Sequence, residues 1–172
     1  MGPDLINGIP AHVLFVHVVV VLVPLTALAL ILCAVWPSVM RRFGLALPVL
    51  ALVTLISVPL TTQAGEWLER HVESDALVRK HTELGDELLP WVVALFLVSA
   101  AVWWFYRRAS HNSADAAGST GITVATPLRT AAAVLSLVIG VGAAVQVYRI
   151  GDSGAKAAWH DGYSATAHSD HS

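Results

Sequence analysis

The stretch Ala11-His12-Val13-Leu14-Phe15-Val16-His17-Val18-Val19-Val20-Val21-Leu22-Val23-Pro24-Leu25 decides the architecture. It lies inside Leu5–Met40, a run without Asp, Glu, Lys or Arg, and three more such runs follow at Phe43–Gly65, Leu88–Tyr106 and Thr130–Tyr148. The shortest holds 19 residues. At roughly 1.5 Å per residue it makes about 28 Å of α-helix, enough for a hydrocarbon core of roughly 30 Å. The pattern predicts an all-α protein: a four-helix transmembrane bundle with spans at about 12–36, 45–67, 86–106 and 129–149 and both termini on the same side. Residues 1–150 then form one membrane domain, and the 172-residue chain leaves no room for a separate soluble one. A net charge of −2 argues against a nucleic-acid partner; the partner implied by composition is the lipid bilayer.

Met1–Ala11 carries no basic side chain and the first apolar run is far too long for the core of a signal peptide, so this span is expected to be retained. The single cysteine, Cys33, has no disulfide partner and reads as a lipid-facing or packed thiol. Counting Lys and Arg does not orient the bundle. Arg41, Arg42, Arg107, Arg108 and Arg129 stand on one side, and Arg70, Arg79, Lys80, Arg149 and Lys156 on the side of the termini. The density of arginine in the short Arg41/Arg42 turn and directly after the third span favours the termini outside a bacterial plasma membrane.

Within the spans, Pro24 and Pro59 each remove a backbone donor and predict kinks. Thr54, Ser57, Thr61 and Gly65 recur at helical spacing and mark a face expected to point into the bundle. Ser136, Gly140 and Ala144 form a small-xxx-small stripe suited to close packing inside the chain or to a homodimer. Trp91, Trp103, Trp104, Tyr106 and Tyr148 lie near span ends and read as headgroup anchors. The segment 107–128 reads as a flexible loop and 151–172 as a flexible tail containing His160, Asp161, His168, Asp170 and His171.

Seven of the eight histidines, all except His111, fall on the side of the termini, together with every carboxylate except Asp115. His17 lies inside apolar sequence, where an unpaired imidazole is costly, and is therefore expected to face the bundle, where it satisfies a backbone carbonyl or a threonine hydroxyl. His12, Glu66, His81 and Asp86 come to one depth and compose a candidate transition-metal site, with Gln63, Thr62 or Glu83 around it. For a b-type heme the candidate cofactor ligands are His12, His17 and His81. The pair His12 with His81 fits better, because His17 and His81 are separated by roughly 15 Å in depth. A proton or solute path through Glu66, His17, Gln63 and Gln146 is a third reading, for which four short spans leave little interior. No catalytic motif is present, so the chain is not expected to be an enzyme on its own.

Three segments carry a family resemblance: Ala11-His12-Val13-Leu14-Phe15-Val16-His17, Ala64-Gly65-Glu66-Trp67 and His81-Thr82-Glu83-Leu84-Gly85-Asp86. With them, nearly the whole chain resembles the bacterial four-helix membrane family catalogued as domain of unknown function 2231. His12 is followed by Val13 where the family usually has proline, and Gly85 stands where it has asparagine. The ending Tyr148-Arg149-Ile150-Gly151-Asp152-Ser153-Gly154-Ala155-Lys156 looks like an actinobacterial branch. Relatives joined to Rieske-type domains imply respiratory or redox surroundings and a redox membrane partner, although one cysteine cannot hold such a cluster here. The reading from sequence is an integral membrane protein with a one-sided His/carboxylate cluster binding a transition metal ion or b-type heme. The alternative is a cofactor-free membrane scaffold or assembly subunit.

Overall fold

A computed structural model of the chain describes residues 5, 6, 8–71, 76–115 and 126–159. A two-residue antiparallel pairing of β1 (Leu5–Ile6) with β2 (Ile9–Pro10) turns through Gly8 at φ +81° and leads directly into α1 (Ala11–Val35). A short α2 (Pro37–Phe43) starts with proline at its first position, where the missing N–H costs nothing. It is followed by Gly44, at φ +50°, a left-handed conformation that favours glycine. Then come α3 (Ala46–Glu69), α4 (Ala76–Asp86), α5 (Leu88–Asp115) and α6 (Thr126–Trp159). Four helical segments, Ala11–Val35, Ala46–Glu69, Ala76–Ser110 and Pro127–Trp159, are long and apolar enough to cross a membrane.

These four pack as an up-and-down bundle in which α1 touches α3 and α6, and α5 touches the same two helices from the opposite corner. Each contributes a stripe at three- and four-residue spacing: Val19, Val23, Ala27 and Leu30 from α1, Ala51, Thr54 and Val58 from α3, Leu88, Val92 and Leu95 from α5, Ser136, Gly140, Ala143 and Val147 from α6. Cys33 is a packed thiol in this core. The outward faces stay apolar, with Val21 at 61%, Leu97 at 58% and Val138 at 59% exposure, which suits hydrocarbon rather than water as the surrounding solvent.

Two polar side-chain atoms, Ser99 Oγ and the Tyr106 hydroxyl, are buried without a hydrogen-bond partner, whereas the threonines inside the bundle are paired locally or across helices. Thr26 Oγ1 and Thr54 Oγ1, both buried, lie 2.7 Å apart, and Thr54 donates to the Leu50 carbonyl at 2.9 Å. Thr54 therefore accepts from Thr26 and locks α1 to α3 at mid-depth. The face expected to point inward does so at Thr54 and Thr61.

Several expectations are corrected by the packing. Ser136 and Gly140 are buried within the chain, Gly140 against Ile31 and Ala27 of α1, so these two residues of the stripe are used in packing inside the chain. Trp91, Trp103 and Tyr106 pack against the core, leaving Trp104 and Tyr148 as the exposed members of the aromatic set. Helix extends into both of the segments that composition marks as flexible: α5 continues to Asp115 and α6 to Trp159. The rest of both segments, including His160, Asp161, His168, Asp170 and His171, lies outside the described residues. The extension of α6 has a physical cause, since its buried Ser153 docks on α4 and Lys156 donates to Asp152 one turn earlier at 2.7 Å.

Candidate functional site: a histidine clasp at the rim

At the rim that carries the N-terminus, His12 and His81 meet. Their ring centroids are 6.2 Å apart with an interplanar angle of 83°, an edge-to-face contact. His12 is the second residue of α1, and its Nδ1 lies 3.0 Å from the Thr61 carbonyl of α3. A carbonyl only accepts, so the His12 proton sits on Nδ1 and stitches α1 to α3. His81, on α4, has Nδ1 3.1 Å from Ser153 Oγ, and that hydroxyl donates to the Ile150 carbonyl at 2.8 Å. The relay therefore runs from His81 Nδ1–H through Ser153 to Ile150, and it stitches α4 to α6.

Two glycines make the approach possible. A Cβ on Gly65 would stand 3.0 Å from His12 Nδ1, and a Cβ on Gly154 would stand 2.9 Å from His81 Cε1. Each imidazole thus approaches bare backbone of the helix it bonds. The contact of α4 with α6 continues at Gln146, which is buried and donates from Nε2 to the Leu84 carbonyl at 2.9 Å and to Glu87 Oε2 at 3.1 Å. Arg149 returns a bond to Gln146 Oε1 at 3.1 Å. Gln146 is therefore a brace for the break between α4 and α5, with both amide hydrogens donated and its oxygen accepting from Arg149, rather than a station on a proton path.

The charged residues of α4, Arg79, Lys80, Glu83 and Asp86, precede the charge-free run Leu88–Tyr106, and both imidazoles of the clasp serve as Nδ1–H donors.

The remaining expected ligands stand apart from the clasp. Glu66 and Asp86 are exposed, as is Gln63, and among the described residues no three His, Cys, Asp or Glu side chains group so as to hold a metal ion. His17 is exposed rather than turned into the bundle. Its Nδ1–H donates to the Val13 carbonyl at 2.6 Å, one turn back on the same helix, which satisfies the ring's N–H without an inward position and leaves Nε2 as an acceptor. His71 does the same with the Trp67 carbonyl at 2.7 Å and stacks on the Trp67 ring at 4.1 Å.

Ser153, Gly154 and the seat at Gly65 are the residues that sequence reasoning missed. By sequence Gly65 belongs to a polar face and Ser153-Gly154 to the tail; a glycine beside each histidine's depth is the available signal. No match was found among curated proteins or solved structures. A family model described as "Predicted membrane protein (DUF2231)" matches residues 8–167. That span takes in all four apolar segments and both halves of the clasp, and the chain belongs to this family of membrane proteins.

Proposed function

We propose that the protein is a membrane scaffold or assembly subunit of the bacterial plasma membrane, with both termini outside, whose outer rim is held in shape by the His12–His81 clasp. One observation carries this reading: the histidines at 12, 17, 71 and 81 all commit Nδ1–H to an oxygen of their own chain. Imidazoles used in this way fix helix to helix, or helix to its own preceding turn. The exposed stripe of α1, with His17 among Val13, Leu14, Val18 and Val21, offers a partner helix an apolar face with one hydrogen-bond acceptor, the free Nε2. Respiratory or redox surroundings, implied by the family resemblance, are a setting in which such a subunit works.

A second reading rests on one distance. Two imidazoles that coordinate one ion through Nε2 at about 2.0–2.1 Å place their ring centroids about 6 Å apart, and the His12 and His81 centroids are 6.2 Å apart. An ion or a heme iron held by these two rings would leave both Nδ1 bonds intact, as is usual for ligating histidines. The experiment that separates the readings is an absorption spectrum, oxidised and reduced, with elemental analysis, on untagged protein purified in mild detergent. The scaffold reading expects a colourless, metal-free preparation in both the wild type and His81→Ala. A Soret band or near-stoichiometric metal that disappears in His81→Ala overturns it in favour of the two-imidazole site.

A further inference from the structure

The rim opposite the clasp is built from different chemistry. Met40, with 1% exposure, anchors α2 in the core, so its neighbours Arg41 and Arg42 are directed outward and are exposed. Arg107 and Arg108 follow immediately on the charge-free run Leu88–Tyr106, and Arg129 immediately precedes the run Thr130–Tyr148. All five are exposed, and the spans that end beside them place them at headgroup depth.

Two of these guanidinium groups are held in place. The Arg107 Cζ lies 5.4 Å from the Trp103 ring centroid and the Arg108 Cζ lies 5.3 Å from that of Trp104, cation–π distances that orient the planar cations without neutralising them. Among the described residues no carboxylate stands within ion-pair distance of any of the five. The sequence supplies one acid on this side, Asp115. On the clasp rim, Lys156 is paired with Asp152 at 2.7 Å and Arg149 faces Glu87 at 3.9 Å.

We propose that the arginine rim formed by Arg41, Arg42, Arg107 and Arg108, with Arg129, is a binding site for anionic phospholipid headgroups. The phosphodiester is the complement the site lacks: it sits at the same depth, accepts two parallel N–H bonds from one guanidinium, and brings net negative charge when the headgroup carries no cation of its own. Phosphatidylcholine offers the same phosphate with its charge cancelled, so the site discriminates by net charge. The tryptophans stack under the guanidinium groups, which keeps the cations in the headgroup layer instead of free in water.

The test uses the full chain in nanodiscs of phosphatidylcholine alone and of phosphatidylcholine mixed with phosphatidylglycerol, with native mass spectrometry reading which lipid stays bound. Wild-type protein is expected to retain phosphatidylglycerol preferentially. The variant R41Q/R42Q/R107Q/R108Q is expected to lose that preference by about fivefold per arginine removed, whereas R79Q/K80Q at the opposite rim keeps it. Equal retention of the two lipids by the wild type overturns the proposal without reference to any variant. Undiminished preference in the folded quadruple variant overturns it as well, and displacement of phosphatidylglycerol by inorganic phosphate at equal concentration assigns the site to free phosphate instead.

Discussion

At the clasp rim, three polar side chains are directed at other helices of the chain: His12 to α3, His81 through Ser153 to α6, Gln146 to the break between α4 and α5. At the arginine rim the arginine side chains are directed outward, and the stabilising contacts beneath them are apolar, with Met40 buried and Trp103 and Tyr106 packed on the core. The difference shows that polarity near the ends of a membrane bundle serves two purposes. Groups that can be both donor and acceptor join helices where the bundle splays into extra elements such as α4, whereas permanent cations are left for the headgroup layer. Removing a clasp residue should therefore cost fold stability, and removing a rim arginine should cost lipid binding with little effect on the fold.

The largest expected effect tests the packing that supports the clasp. A Cβ at Gly142 would stand 2.0 Å from Trp91 Cζ3, so Gly142→Ala forces the indole off α6. A loss of about 1–3 kcal/mol is expected from such overpacking, read as a drop in the thermal unfolding midpoint in detergent. An unchanged midpoint would show that Trp91 swings away freely and that the α5–α6 contact is loose. Next, Ser153→Ala leaves the His81 Nδ1–H without its acceptor and is expected to cost about 1–2 kcal/mol. Ser153→Thr, which keeps the hydroxyl, should restore most of it.

At mid-depth, Thr54→Val deprives Thr26 of its partner and is expected to cost about 0.6–1.7 kcal/mol, the range of interhelical hydrogen bonds in membranes. The smallest effect belongs to the other rim. Arg107→Gln with Arg108→Gln should shift stability in neutral detergent by less than about 0.5 kcal/mol, and a larger loss would mean that the arginines hold the fold rather than lipid.

The spans were legible because membrane insertion depends on length and on the absence of charge, which are properties of the linear chain. The pairing of His12 with His81 was legible as a matter of depth, since both stand near the ends of apolar runs on one side. Glu66 and Asp86 share that depth and are nonetheless exposed, because depth says nothing about the angle at which a side chain leaves its helix. His17 shows the same limit from the other direction: its ring N–H is satisfied by the Val13 carbonyl one turn away, a bond that requires no neighbour at all.

By itself, then, the sequence determined four membrane-crossing helices, termini on one side and a histidine-bearing rim opposite an arginine-bearing one, since each follows from hydrophobic length and chain order. Only the tertiary structure decided which groups touch. Helix rotation and close approach are set by packing, by Gly65 and Gly154 admitting two imidazoles against backbone, by Gly142 admitting an indole, and by Ser153 reaching back to α4 from a segment whose composition alone suggests no contact.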